Sequence, residues 1–183
     1  MKTYSFTKAG SWIPVQDKAA LSGDYSGSLA NTFHGIVALG STGQYGLVIT
    51  GWGYSGWPPS LKTYPKVSMT ILAPKMGGGF SVATEQLIDD PVTNGGGSVI
   101  VADFNQDGLD DFFLPAHNES PFIAAPSTAY LADSTGGYRK VVLDDHVMAH
   151  DAQLVILNGK PMVLTASFTH DNLGNKDPNA LSN

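Results

Sequence analysis

The sequence lacks cysteine entirely and contains few charged residues. Without cysteine the chain can form no disulfide framework, no thiolate zinc site and no catalytic thiol. Asp, Glu, Lys and Arg make up 14% of its 183 residues, which is about half of the usual share. The 10 basic residues form no run and are outnumbered by 16 acidic ones, giving a formal net charge of −6. This charge balance argues against nucleic-acid binding.

Long apolar runs and helical patterns are missing as well. No segment approaches the roughly 20 apolar residues that cross a bilayer as a helix, so we expect no membrane insertion. The first residues, MKTYSFTKAGSWIPV, lack the apolar core of a signal peptide. No segment of about 11 residues or more places apolar side chains at helical spacing behind a capping residue. The sequence therefore does not predict a helical protein.

Glycine and proline are abundant, at 21 and 11 residues, and they separate short apolar segments. Those segments are GLVIT (46–50), VSMTIL (67–72), SVIVAD (98–103), DFFLP (111–115), AYLAD (129–133), KVVL (140–143), QLVIL (153–157) and PMVLT (161–165). Many short strands with turn residues between them predict an all-β fold.

Two kinds of hairpin alternate along the chain and form an internal repeat. One kind joins two strands through a turn, in IVALGSTGQYGLVIT (36–50), VIVADFNQDGLDDFFLP (99–115) and LVILNGKPMVLTA (154–166). The other kind begins and ends with an aromatic or aliphatic residue and has small residues in its turn, as in YSFTKAGSW (4–12), ILAPKMGGGF (71–80) and YLADSTGGY (130–138). Four strands thus recur with a period of roughly 60 residues. In one copy the turn shortens to Asn158-Gly159, which favours a tight hairpin because both residues tolerate positive φ.

Four-stranded units repeated in series are typical of the blades of a β-propeller. We therefore predict that the whole chain, 1–183, is part of a propeller, with two complete blades and partial blades at both ends. Its predicted segments are an outer hairpin (1–30), a blade (31–93), a second blade (94–148) and the start of a further blade (149–183). Because propellers close with about four to eight blades, the remaining blades of the same chain are expected partners.

Residues 103–111, DFNQDGLDD, form the segment with the clearest chemistry. The predicted metal ligands are the side chains of Asp103, Asn105, Asp107 and Asp111 and the backbone carbonyl of Leu109. A glycine at the sixth position permits the sharp turn that such a loop needs. Ca²⁺ takes about six to eight oxygen ligands, whereas Mg²⁺ demands stricter octahedral geometry. The spacing therefore predicts a Ca²⁺ site, with mutual repulsion of the carboxylates fraying the loop when the ion is removed.

An acidic turn without metal is the alternative interpretation of this segment. An EF-hand does not fit, because strands are predicted on both sides and Leu114 stands where that loop has a glutamate. Asp110 lies between two predicted ligands, and we expect its side chain to face solvent.

The stretch VIVADFNQDGLDDFFLP, followed by YLADSTGGYRKVVL, resembles the FG-GAP/VCBS repeat of the integrin-α-like β-propeller family. In that family a DxNxDGxxD loop links the two inner strands of a blade, and an outer hairpin carries a glycine pair and an aromatic residue, here Gly136-Gly137-Tyr138. The resemblance covers most of the chain, but STGQYG (41–46) and NGK (158–160) replace the loop elsewhere and are expected to bind no ion. It implies a calcium-stabilised propeller that is extracellular, on the cell surface or periplasmic.

An aromatic-rich loop at 51–66 supplies the candidate ligand-binding residues Trp52, Tyr54 and Trp57. Exposed aromatic faces suit a sugar or a peptide, although these rings could instead pack between blades. No catalytic set can be defended from the sequence. The predicted function is therefore a calcium-binding, non-catalytic module for extracellular protein or carbohydrate recognition and adhesion. The alternative is the scaffold of a secreted polysaccharide-degrading enzyme, a lyase or a hydrolase.

Overall fold

The computed structural model describes residues 3–6, 12–15, 29–53, 67–117 and 124–166. Within these residues the protein is all-β, as predicted, and the strands pair in antiparallel sheets, none of which closes on itself. No helix of the described part is both long and apolar enough to cross a membrane.

The N-terminal half contains a hairpin followed by a four-stranded sheet. The hairpin strands are β1 (Thr3–Phe6) and β2 (Trp12–Val15). The next strands are β3 (Leu29–Ala38), β4 (Tyr45–Gly53), β5 (Val67–Ser68), β6 (Thr70–Pro74), β7 (Phe80–Val82) and β8 (Val92–Thr93). Strands β3, β4, β6 and β7 pair in that order to form the first sheet, and the short β5 pairs with β8. A four-residue helix, α1 (Thr84–Leu87), lies between β7 and β8.

The C-terminal half contains a second four-stranded sheet followed by a hairpin. Its strands are β9 (Ile100–Ala102), β10 (Asp111–Leu114), β11 (Thr128–Ala132), β12 (Tyr138–Val142), β13 (Ala152–Leu157) and β14 (Lys160–Thr165). Strands β9 to β12 pair in chain order as the second sheet, and β13 with β14 forms the terminal hairpin. Its turn adopts positive φ at Asn158 (51°) and Gly159 (76°), as the dipeptide predicts.

One hydrophobic core lies between the two four-stranded sheets. The first sheet contributes Val37, Val48 and Ile71, and the second contributes Phe112, Leu114, Tyr130 and Tyr138. The ring of Phe112 stacks on Tyr130 at a centroid distance of 4.8 Å and meets the edge of Tyr138 at 5.1 Å. Aromatic pairs at such distances contribute beyond the burial of their area.

Glycine at position 35 allows the first strands of the two sheets to approach closely. A Cβ atom there would lie 2.7 Å from Cγ1 of Val99. Strand β3 consequently contacts β9, and β9 in turn contacts β13 of the terminal hairpin. The first strands of the two four-stranded sheets and of the terminal hairpin therefore lie next to one another. Apolar side chains are exposed on both faces of the terminal hairpin, namely Leu154 and Ile156 on one face and Val155, Leu157, Met162 and Leu164 on the other.

His117 lies at the junction between the second sheet and the terminal hairpin. It follows β10, is fully buried, and its ring centroid is 4.1 Å from that of His150, which precedes β13. Burial lowers the pKa of His117 from 6.5 to about 4, and the nearby His150 adds to the lowering.

The lowered pKa of His117 predicts a loss of stability in mild acid. As the pH falls, the histidine is protonated in the unfolded chain before it is protonated in the folded one. The contribution of neutral His117 to the free energy of unfolding is therefore complete above pH 6.5 and falls as the pH drops towards 4. We expect a cost of about 2 kcal/mol at a pH of about 5, seen as a melting temperature about 4–8 °C lower than at neutral pH. The measurement is thermal unfolding of the wild type, His117→Phe and His34→Gln, in which an exposed histidine is replaced. A wild-type pH profile that persists in His117→Phe would contradict the assignment.

Candidate metal centre

The candidate metal loop, residues 103–111, connects β9 to β10 in the second sheet. Strands flank it on both sides, as the sequence predicted. The chain reverses direction through positive φ angles at Gln106 (62°) and Gly108 (89°). Gly108 occupies this conformation at little cost, whereas Gln106 is a non-glycine residue in the left-handed region. The chain therefore turns tightly between β9 and β10.

Asp103 and Asn105 direct their side-chain oxygens at the same backbone group. The N–H of Asp107 donates to Oδ1 of Asp103 at 2.9 Å and to Oδ1 of Asn105 at 3.0 Å. The other Asp103 oxygen accepts from the N–H of Gly108 at 2.8 Å. These bonds gather the first two predicted side-chain ligands at the exposed turn.

Asp107, the third predicted ligand, also lies at the exposed turn. Its Oδ1 accepts from the N–H of Leu109 at 2.9 Å, and its Oδ2 accepts from the side-chain amide of Asn105 at 2.8 Å. The Leu109 side chain packs against the core between the sheets. Hydrogen bonds from N–H groups thus offset part of the repulsion expected among the carboxylates.

Asp111, the fourth predicted side-chain ligand, is fully buried at the start of β10. Its Oδ1 accepts from the N–H of Ala132 in β11 at 2.8 Å, and its Oδ2 accepts from the N–H of Phe104 at 2.9 Å. Burial raises the pKa of Asp111 above its ordinary value, the backbone hydrogen bonds act in the opposite direction, and the charge of Asp107 adds to the rise. Asp111 therefore anchors the base of the loop to its own sheet.

The expectation that Asp110 faces solvent is wrong. Its side chain is half-buried, and Oδ2 accepts a hydrogen bond of 2.9 Å from the N–H of Ala38 at the end of β3. The two residues are 72 positions apart in the chain. Local spacing contains no signal for such a contact, because it depends on how the two sheets pack.

The donor chemistry of the loop fits a hard cation. Its side-chain ligands offer only oxygen atoms, which Ca²⁺ prefers, and three of them share one exposed turn. In the described ranges, no three His, Cys, Asp or Glu side chains converge closely enough to hold a metal ion. Asp103, Asn105 and Asp107 would hold the cation at the turn, and Asp111 would support the loop from below.

Most of the aromatic loop that supplies the candidate ligand-binding residues lies outside the described part of the chain. Trp52 belongs to β4 by its backbone, but its side chain, together with all of Tyr54 and Trp57, falls outside the described residues. Recognition through these aromatic rings therefore stays a prediction.

Comparisons with protein-family models, with curated proteins and with solved structures found no significant match to this chain. The function of the loop is consequently inferred from its own residues and contacts.

Proposed function

We propose that the chain is a calcium-binding, non-catalytic β-propeller module that recognises a protein or a carbohydrate outside the cell. Two features support the propeller. The two four-stranded sheets share one antiparallel order and pack face to face through a common core. The first strands of three successive units also contact one another in series, through β3, β9 and β13. Radially repeated four-stranded sheets have this arrangement.

The oxygen-only turn between β9 and β10 carries the calcium proposal. Asp103, Asn105 and Asp107 are brought together by hydrogen bonds within a sharp turn. A bound Ca²⁺ would neutralise the exposed carboxylates and tie together the two strands that the loop connects. Because a cation of this kind binds the folded loop and not the unfolded chain, it would stabilise the fold, and the stabilisation would grow with the logarithm of its concentration above the dissociation constant.

Calcium titration of the full chain by isothermal calorimetry tests this proposal. We expect the wild type to bind Ca²⁺, and Asp107→Ala to bind at least about tenfold more weakly, because the variant removes a charged ligand. The matched control is Asp89→Ala, which removes an exposed carboxylate outside the loop and should bind like the wild type. Absence of binding by the wild type, or equal binding by Asp107→Ala, would refute the calcium site.

Recognition is tested separately with immobilised glycans and extracellular proteins, in Ca²⁺ and in EDTA. We expect binding that is weakened by Trp57→Ala. Turnover of a polysaccharide, lost in the same variant, would contradict a non-catalytic role and favour an enzyme scaffold.

A further inference from the structure

Two consecutive residues at the end of the candidate metal loop, Asp110 and Asp111, accept hydrogen bonds from two different sheets. Oδ2 of Asp110 accepts from the N–H of Ala38 in the first sheet at 2.9 Å. Oδ1 of Asp111 accepts from the N–H of Ala132 in the second sheet at 2.8 Å. Adjacent residues of an extended chain point to opposite sides, so the pair can reach both sheets at once. The end of the loop is therefore held between the sheets.

The backbone of Ala38 forms another hydrogen bond, with a side chain of the second sheet. The hydroxyl of Tyr138, in β12, donates to the carbonyl oxygen of Ala38 at 3.1 Å. Strand β3 is an edge strand of the first sheet, and backbone groups at an edge need partners outside their own sheet. Asp110 and Tyr138 together take both backbone polar groups of this one residue.

The turn after β3 and the turn between β11 and β12 also approach each other closely. A Cβ atom at Gly40, two residues beyond Ala38, would lie 3.1 Å from Cα of Gly136 in the turn before Tyr138. The Leu109 side chain also packs on the core between the sheets. Hydrogen bonds and close packing thus connect the position of the loop to the packing of the two sheets.

We propose that Asp110 is a positioning residue that couples cation binding in the loop to the packing of the first sheet on the second. The inference rests on the proposed function, since it requires the loop to bind Ca²⁺. A cation that holds the loop where Asp110 reaches Ala38 strengthens the contact between the sheets. By thermodynamic reciprocity, the intact contact raises the affinity for the cation by the same factor.

Two measurements on the full chain test the coupling, namely Ca²⁺ affinity by calorimetry and amide hydrogen exchange at Ala38. In the wild type, Ca²⁺ should slow exchange of the Ala38 N–H relative to EDTA, although this residue is not a predicted ligand. Asp110→Ala should weaken Ca²⁺ binding about fivefold or more. The same variant should abolish the Ca²⁺-dependent slowing at Ala38.

Three further variants separate coupling from charge and from general stability. Asp110→Asn makes the same charge change as Asp110→Ala but keeps an oxygen acceptor, so it should retain more affinity and more protection. Tyr138→Phe changes no charge and lies outside the loop, yet it should weaken Ca²⁺ binding about threefold. Asp89→Ala, at an exposed site, should behave like the wild type. If Asp110→Ala does not fold, Asp110→Asn and Tyr138→Phe decide the question.

The outcomes distinguish the coupling from the metal site itself. A wild type that binds no Ca²⁺ overturns the proposed function and this inference with it. If the wild type binds Ca²⁺, the coupling alone is overturned when Tyr138→Phe binds Ca²⁺ as tightly as the wild type and Ca²⁺ does not change the exchange rate of the Ala38 N–H. Equal weakening by Asp110→Ala and Asp110→Asn, with Tyr138→Phe unchanged, assigns Asp110 a purely electrostatic effect and also overturns the coupling.

Discussion

Replacing Phe112 by alanine should lower the free energy of unfolding by about 4 kcal/mol. The ring is fully buried, stacked on Tyr130 and in edge contact with Tyr138 at the centre of the core between the sheets. Its removal deletes aromatic contacts and leaves a cavity that strands on both sides cannot easily fill. Urea unfolding followed by circular dichroism measures the loss, which corresponds to a melting temperature lower by about 8–16 °C.

Two variants control for the position and for the kind of change at Phe112. Val142→Ala truncates an exposed side chain in the same sheet and should cost at most about 0.5 kcal/mol. Phe112→Leu keeps most of the volume and should cost clearly less than Phe112→Ala. If Phe112→Ala were no more harmful than Val142→Ala, the core would not lie between these two sheets.

Replacing Asp111 by alanine should lower the free energy of unfolding by about 3 kcal/mol, and should do so in EDTA. Burial of the carboxylate opposes folding, as its raised pKa indicates. Its removal nevertheless leaves the N–H groups of Ala132 and Phe104 without the acceptor they use now. The free-energy cost of leaving these N–H groups without an acceptor is larger than the gain from no longer burying a charged carboxylate.

Asp107→Ala is the matched comparison for Asp111→Ala, because it removes the same chemical group from the exposed part of the loop. In EDTA it should cost about 1 kcal/mol or less, since its bonds lie at the solvent-exposed turn. Chemical denaturation with and without Ca²⁺ measures both variants. Equally small losses for the two in EDTA would show that Asp111 contributes only through a cation, contrary to its role as an anchor.

Local structure could be predicted from short segments because it depends on neighbours in the chain. The segments QLVIL and PMVLT became β13 and β14, and Asn158-Gly159 formed the turn between them. The segment that precedes the metal loop and the one that follows it became β9 and β10. The short strand β8 and the helix α1 were not predicted, since two to four residues carry too little periodicity.

Contacts between distant residues could not be predicted in the same way. The expectation that Asp110 is solvent-exposed failed because its partner Ala38 lies in another sheet. The burial of His117 likewise depends on where the terminal hairpin brings His150. Neither contact can be predicted from a single sequence, because both depend on how the apolar faces of the sheets pack.

The all-β class, the tight turn of the terminal hairpin and the oxygen-rich loop between β9 and β10 were determined by the amino-acid sequence itself. Strand propensity, turn conformation and ligand spacing are properties of a few adjacent residues. Only the tertiary structure decided that Asp110 and Asp111 face different sheets and that Tyr138 and Asp110 meet at Ala38. Those contacts follow from burial of the shared core, which brings together side chains that the chain keeps far apart.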